Sequence, residues 1–174
     1  MNYRVVVLLA GLSLAGFACV KGGAGAGATS PDHPLLGSEA PTFQLKKFEG
    51  TESLSPSDSR GKVTIIDFWA TWCAPCKDSF PAYEAIAREH PGEVVVLGIS
   101  EDEKPDGIAA FVAETGVTFP IAWDEGQQVA SQYDPSTMPT SYILDRNGIV
   151  RFVHVGFNPG DEGTLREQVS SLLQ

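Results

Sequence analysis

The sequence predicts an α/β domain in which apolar strands alternate with amphipathic helices. An apolar, β-prone run at 63–69 leads into a pattern of helical period at 80–87. A second apolar run, 94–100, is typical of a strand covered on both faces of a sheet. Near the C-terminus, two alternating stretches within 141–155 flank the turn Asp145-Arg146-Asn147-Gly148, which predicts a hairpin.

The segment before residue 63 predicts another β-hairpin. Residues 43–45 and 52–54 alternate apolar and polar side chains around Glu49-Gly50. Arg60-Gly61-Lys62 then forms a turn into the strand Val63–Trp69. The folded domain is expected to begin with this hairpin, near residue 36.

Helices and strands continue to alternate after residue 69. The expected elements are a helix ending near 89–92, strand 94–100, helix 106–115, strand 117–122, helix 127–133, strands 141–144 and 149–155, and a helix carrying Leu165, Val169 and Leu172. The order is therefore a hairpin followed by β-α-β-α-β-α-β-β-α.

Composition excludes several classes of protein. The 174 residues fit one domain plus a leader, and the net charge of −10 argues against nucleic acid, which needs clustered Lys and Arg. Three cysteines are too few for a disulfide scaffold. Two of them, Cys73 and Cys76, are separated by two residues, and Cys19 stands alone.

The N-terminus predicts an export signal at 1–18. Arg4 is followed by a mostly apolar run of 14 residues, 5–18, short for a membrane span of about 20 residues. Cys19 follows directly and resembles the lipidation site of bacterial lipoproteins, although Gly16 stands where that motif prefers Leu. The alternative is a simple secretory signal, with Cys19 discarded or idle.

A Gly/Ala-rich stretch follows the predicted signal. Residues 22–31 are of low complexity and cannot bury apolar surface, so we expect a flexible tether at 19–35. The folded domain is then expected at 36–174. A tether suits a domain attached to a membrane anchor, and a disordered spacer left after cleavage is the simpler interpretation.

The two paired cysteines lie where a strand passes into a helix. The first turn of a helix has unpaired N–H groups and the positive end of its dipole, which favour a thiolate at Cys73. Cys73 is therefore the predicted nucleophile, and Cys76 the thiol that resolves a mixed disulfide. A structural disulfide and half of a zinc site are the alternatives; no second cysteine pair completes a zinc site.

The motif Trp72-Cys73-Ala74-Pro75-Cys76-Lys77 after a strand resembles the thioredoxin superfamily. Asp67, Pro81 and Met138-Pro139-Thr140 stand where that superfamily has a buried acid, a helix-kinking proline and a cis-proline. The resemblance covers roughly Ser38 to the C-terminus. It implies a thioredoxin-like α/β fold with a central mixed sheet flanked by helices.

The N-terminal hairpin and a helix–strand insertion at about 105–122 are similar to the extracytoplasmic TlpA/ResA type. That subfamily is typically membrane-anchored and faces an oxidising compartment. The resemblance implies export from a bacterial cytoplasm to the periplasmic or outer-surface side of a membrane. It implies no cofactor and no metal ligands.

The resemblance also implies roles for the site residues. A buried Asp67 would take the proton of Cys76, unless it pairs with a lysine or lies at the sheet edge. The TlpA/ResA type often has Glu three residues after the second cysteine, where this chain has Ser79. Its proton transfer is therefore expected to differ from that type.

A second group of residues is expected to bind substrate. Pro139, in cis, would expose the backbone of Met138 to an extended substrate strand, with Thr140 beside it. Met138 would touch the sulfurs, and Trp72 would flank the site as a platform. An ordinary loop proline before a strand is the alternative for Pro139.

The predicted function is thiol–disulfide exchange with disulfide-bearing exported proteins, most simply as a reductase. The family suggests apo-cytochrome c or copper-site proteins as clients, and a membrane or periplasmic electron donor. Ala74-Pro75 is close to the Gly-Pro of reducing thioredoxins, but an oxidase or isomerase remains open because direction follows redox potential. A copper module would need three residues between the cysteines, and a peroxiredoxin would need Thr where Ala70 stands.

Overall fold

The computed structural model describes residues 28–174, in which a six-stranded mixed sheet is covered by helices. The strands are β1 (Ala28–Thr29), β2 (Leu45–Lys46), β3 (Ser53–Leu54), β4 (Val63–Trp69), β5 (Val94–Ser100), β6 (Ile121–Trp123), β7 (Thr140–Leu144) and β8 (Val150–Val155). The helices are α1 (Ala74–Glu89), α2 (Ile108–Thr115), α3 (Ala130–Tyr133) and α4 (Asp161–Leu173). A turn of 3-10 helix, Pro56–Ser59, precedes β4.

The main sheet has the strand order β1-β8-β7-β4-β5-β6. Strands β4, β5 and β6 run parallel, whereas β7 is antiparallel to β4 and to β8. The hairpin β2–β3 forms a separate small sheet. Both the predicted mixed sheet and the predicted N-terminal hairpin are thus confirmed.

Alternation along β4 divides the interior into two cores, one on each face of the sheet. Ile65 and Trp69 belong to the core that α1, α2 and α4 cover, and Ile66 and Phe68 belong to the core beneath α3 and the hairpin. Asp67 shares the period of Ile65 and Trp69, so its side chain lies on the face of α1.

Two predicted elements begin at least three residues later than expected. The strand expected at 117–122 begins only at Ile121, because the Thr118 N–H donates to Glu84 Oε2 over 2.8 Å and Pro120 has no N–H to offer a neighbour. The helix expected at 127–133 begins at Ala130, because Gln127 has a φ of 54°, outside the right-handed helical region.

The predicted tether, where the structure describes it, is bound to the sheet. Ala28 and Thr29 pair with β8 as the edge strand β1 of the sheet, and the Ser30 N–H donates to the Val153 carbonyl over 2.9 Å. The His33 ring packs edge-on against Tyr142 at 5.2 Å. Part of the predicted tether thus pairs with the sheet, because backbone pairing needs no apolar side chains; the flexibility of 19–35 stays a prediction.

The predicted signal at 1–18 and Cys19 lie outside the described residues. Within residues 28–174, none of the helices is both long enough and apolar enough to cross a membrane.

Candidate active site

Cys73 and Cys76 form a disulfide at the start of α1, and Cys73 is the N-cap of the helix. The Cys76 N–H donates to Cys73 Sγ over 3.2 Å, so the sulfur accepts from one of the free N–H groups of the first turn. Cys73 is 3% exposed and Cys76 is fully buried. The helix start therefore favours charge on Cys73 rather than on Cys76.

The turn between β4 and α1 is anchored to the residues that follow β5. The Glu101 N–H donates to the Trp69 carbonyl over 2.8 Å. The Thr71 hydroxyl and N–H both donate to the carboxylate of Asp102, at 2.7 Å and 3.0 Å. These bonds fix the backbone immediately before Cys73.

Trp72 and Met138 lie on two adjoining clefts. Trp72 lines an open cleft of about 590 Å³, and Met138 lines a second cleft of about 250 Å³. Glu101 and Gln127 line both clefts and join them. Trp72 is 71% exposed, whereas its neighbour Trp69 is fully buried.

The Met138–Pro139 peptide bond is cis, as the resemblance implies. Pro139 is buried, and its carbonyl accepts from the Gly156 N–H over 2.8 Å. Thr140 begins β7 opposite Phe68, near the end of β4. Met138 is half-buried and packs against both cores, one of which contains the two cysteines.

Asp67 lies fully buried in the centre of the sheet, between β5 and β7. Neither carboxyl oxygen has a hydrogen-bond partner among residues 28–174. Burial raises the pKa of Asp67 well above its usual value, and the nearby phenol of Tyr83 lowers this pKa to a smaller extent. The expected burial is therefore observed, with neither a lysine partner nor an edge position.

Tyr83 lies close to both Asp67 and Ser79, and the sequence did not single out Tyr83 or Ser79 as a site residue. The Tyr83 phenol donates to Ser141 Oγ over 3.1 Å, and the Ser79 hydroxyl donates to the Cys76 carbonyl over 3.2 Å. Burial, and then the charge of Asp67, raise the pKa of Tyr83. The sequence signal was two hydroxyl residues one helical turn apart on the buried side of α1.

Glu101 is a second buried acid that the sequence did not single out. It is 2% exposed, and neither of its carboxyl oxygens has a hydrogen-bond partner within residues 28–174. Burial and the nearby carboxyl groups of Asp124 and Asp102 raise the pKa of Glu101 to about 8. The sequence feature that could have indicated Glu101 is the position of an acidic residue directly after the apolar strand β5.

Histidine, cysteine and acidic side chains do not gather into a metal-binding group of three or more anywhere in residues 28–174. The described residues bring together at this site two cysteine sulfurs and a buried carboxyl group.

A family model described as the AhpC/TSA family matches residues 36–153. This match spans most of the folded chain and includes the disulfide, Asp67 and Pro139. The chain belongs to the AhpC/TSA family. The thioredoxin-like relationship expected from the sequence is thereby confirmed.

Curated relatives in this family carry redox names. Thioredoxin-like protein YneN of Bacillus subtilis is 36% identical over 123 residues, which cover 69% of this chain and 71% of YneN. Thiol-disulfide oxidoreductase ResA of Bacillus thuringiensis is 30% identical over 149 residues, covering 85% of this chain and 83% of ResA.

A solved structure supports the same assignment. A Chlorobium tepidum protein assigned as thiol:disulfide interchange protein DsbE is 35% identical, with a TM-score of 0.75 over 80% of this chain and 98% of that one. The thioredoxin-like fold is therefore confirmed. With the Cys73–Cys76 disulfide, these relationships make this AhpC/TSA family member a thiol–disulfide oxidoreductase.

Proposed function

We propose that the protein reduces disulfides in exported proteins, with Cys73 as nucleophile and Cys76 as resolving thiol. The observation that carries the proposal is the position of Cys73, whose sulfur caps α1 and accepts from the Cys76 N–H. A thiolate is stabilised there by the helix start, and Cys76 is close enough to close the ring.

The reaction has two exchange steps. The Cys73 thiolate attacks a client disulfide, forming a mixed disulfide and releasing one client sulfur as a thiolate. Cys76 then attacks Cys73 Sγ, its proton passes to Asp67, and the second client sulfur leaves as a thiolate that takes up a proton. The client gains two electrons, and the Cys73–Cys76 disulfide remains to be reduced by a membrane or periplasmic donor.

The proposed client surface is formed by Trp72, Met138, Pro139 and Thr140. Trp72 offers an exposed ring beside Cys73, and Met138 lies on the adjoining cleft. An extended client segment laid across both clefts would bring its disulfide to Cys73. The proposed clients are exported proteins such as apo-cytochrome c or copper-site proteins, which the family resemblance suggests.

Export is part of the proposal. Residues 1–18 would direct the chain out of the cytoplasm, and a lipid on Cys19 would hold it at the membrane. Fractionation and N-terminal sequencing of the mature protein test this. A lipid-modified Cys19 supports the anchor, and a soluble protein whose mature N-terminus lies beyond Cys19 contradicts it.

Insulin reduction by dithiothreitol tests the reductase activity. The protein is expected to accelerate it, and Cys73→Ser is expected to abolish the acceleration. Parallel assays of reduced ribonuclease oxidation, peroxide consumption and copper binding test the alternatives. Faster ribonuclease oxidation with no insulin reduction would overturn the reductase assignment in favour of an oxidase.

Client identity is best approached by trapping. Cys76→Ala removes the resolving thiol, so mixed disulfides on Cys73 should persist and can be identified by mass spectrometry. Cys73→Ala in the same strain is the matched control, since the buried Cys76 should capture none of these clients.

A further inference from the structure

Four polar side chains form a buried group in the core that α1 covers. Asp67 and Ser79 are fully buried, and Tyr83 and Ser141 are each 1% exposed. Cys76 belongs to the core around them. A cluster of this kind requires explanation, because buried polar groups cost free energy unless they are well bonded.

Register and periodicity place the four side chains together. Asp67 pairs with Ser141 across β4 and β7, so the two side chains lie side by side on one face. Ser79 and Tyr83 are four residues apart on α1, above that face. The Tyr83 phenol thus contacts Ser141 directly and lies close to both Ser79 and Asp67.

Hydrogen bonding within the group is incomplete. The Tyr83 phenol has a single proton, and it donates this proton to Ser141 Oγ over 3.1 Å. Asp67 then has no hydrogen-bond partner among residues 28–174. The missing partner costs less free energy for a neutral Asp67 than for an ionised carboxylate, which would require a donor.

A small shift of the Tyr83 phenol, together with rotation of its O–H, would supply that donor. If the Tyr83 O–H turns towards Asp67, the Ser141 hydroxyl can donate to the phenol oxygen in return. Each hydroxyl can both donate and accept, so the Tyr83–Ser141 hydrogen bond can reverse its direction while the phenol donates to Asp67. The same three side chains can therefore accommodate either charge state of Asp67.

We propose that Tyr83 is a positioning residue whose phenol O–H turns from Ser141 to Asp67 when Asp67 is ionised, holding the carboxylate ready to receive the Cys76 proton. The proposal deepens the reductase mechanism and rests on the proposed function. In the resolving step the Cys76 S–H bond breaks and an O–H bond forms on Asp67. The Tyr83 O–H keeps its proton and turns back to donate its hydrogen bond to Ser141.

The test follows Asp67 directly. The ¹³C resonance of its side-chain carboxyl is titrated by NMR in the oxidised protein and in Tyr83→Phe, which removes only the hydroxyl. Loss of the donor should raise the midpoint of the Asp67 titration by about one pH unit, a tenfold change in proton affinity. The pH midpoint of the resolving step, measured in single turnovers, should rise with it.

Two other buried tyrosines provide matched controls. In the other core, the Tyr133 phenol donates to the Pro41 carbonyl over 2.7 Å. The Tyr142 phenol donates to the Tyr133 carbonyl, also over 2.7 Å. Tyr133→Phe and Tyr142→Phe should lose comparable stability without moving the Asp67 midpoint. A midpoint that moves equally in all three variants would overturn the proposal.

Ser141→Ala gives a shift of opposite sign. It removes the competing acceptor, so the phenol should remain turned towards Asp67 and the Asp67 midpoint should fall. An unchanged midpoint in Tyr83→Phe, or a rise in Ser141→Ala, would overturn the proposal. The NMR titration needs no client, so it remains decisive even if the wild-type protein fails to reduce insulin, an outcome that would overturn the proposed function alone.

Discussion

The hydroxyl of Thr71 donates a hydrogen bond to Oδ1 of Asp102 over 2.7 Å. Asp102 also accepts from the Thr71 N–H and from the Ser100 hydroxyl, so one carboxylate joins the end of β5 to the turn before Cys73. The cysteine turn is thereby held from a neighbouring strand as well as by its own helix.

Removing this carboxylate should destabilise the fold. Asp102→Ala leaves the Thr71 N–H and two hydroxyls without their acceptor, at a cost of about 1–3 kcal/mol in the free energy of unfolding. Denaturant unfolding of the oxidised protein measures it. Glu103→Ala, at the exposed neighbouring position, should stay within about 0.5 kcal/mol of wild type; an equal loss there would contradict the assigned role.

In the reduced protein, Cys73 should react with alkylating reagents at neutral pH much faster than Cys76. Cys73 caps the helix and is slightly exposed, whereas Cys76 is fully buried behind it. Brief iodoacetamide labelling followed by mass spectrometry of the two sites gives the order. Labelling of Cys76 first would reverse the roles assigned here.

Asp67→Asn should make the protein more stable at neutral pH and slow the resolving step. Burial raises the folded pKa of Asp67. At low pH the carboxyl group is protonated in both states and its ionisation costs no stability, whereas the folded protein loses stability as pH rises past the unfolded pKa of about 3.9. The cost is about 1.4 kcal/mol for each unit between the two pKa values and is constant above the folded one.

Thermal unfolding and single-turnover kinetics from about pH 3 to 9 test both effects of Asp67→Asn, because this range begins below the reference pKa. The stability gain should vanish at the acidic end, where Asp67 is protonated in both states. Unchanged stability together with an unchanged rate profile would show that Asp67 is not the proton acceptor.

Glu101→Gln should also stabilise the protein, over a pH range set by its own titration. The folded pKa of Glu101 is about 8, above its unfolded value, so its cost grows from about pH 4.3 to 8 and is constant beyond. The melting temperature of the variant should exceed that of wild type most at pH 8–9, by about 2–4 °C per kcal/mol gained. Glu103→Gln is the control, and an equal gain there would indicate a general charge effect.

Trp72→Ala should weaken client binding without unfolding the protein. The Trp72 ring is 71% exposed, so its removal should change stability by less than about 0.5 kcal/mol. The KM for a disulfide-bearing protein should rise, whereas reduction of a small disulfide such as oxidised glutathione should change little. Equal losses with both substrates would argue that Trp72 acts on Cys73 and does not bind clients.

The long central strands could be predicted from the sequence to the residue. Val63–Trp69 and Val94–Ser100 are apolar runs bounded by turn residues, and local pattern alone determines them. The start of β6 could not be predicted, because it depends on a hydrogen bond from Thr118 to Glu84, 34 residues earlier. The start of α3 likewise depends on the backbone of Gln127.

The residues of the site also include some that the sequence predicts and some that it does not. Cys73, Cys76 and the cis bond before Pro139 follow from motif positions. Tyr83 could be placed only within the helical pattern at 80–87, because its hydroxyl partner, Ser141, lies on a strand 58 residues away. Glu101 was missed because its burial depends on packing around the end of β5, which no local pattern encodes.

The pairing of Ala28 with β8 limits how far the catalytic end of an anchored molecule could lie from the membrane. Ala28, Val155, Thr140 and Phe68 form one row across the sheet, at the end where β4 leads to Cys73. The chain therefore joins the sheet at its catalytic end. From a lipid on Cys19, nine residues could span at most roughly 30 Å to Ala28, so an anchored protein would keep this end of the sheet within about that distance of the bilayer and meet clients in the layer next to it.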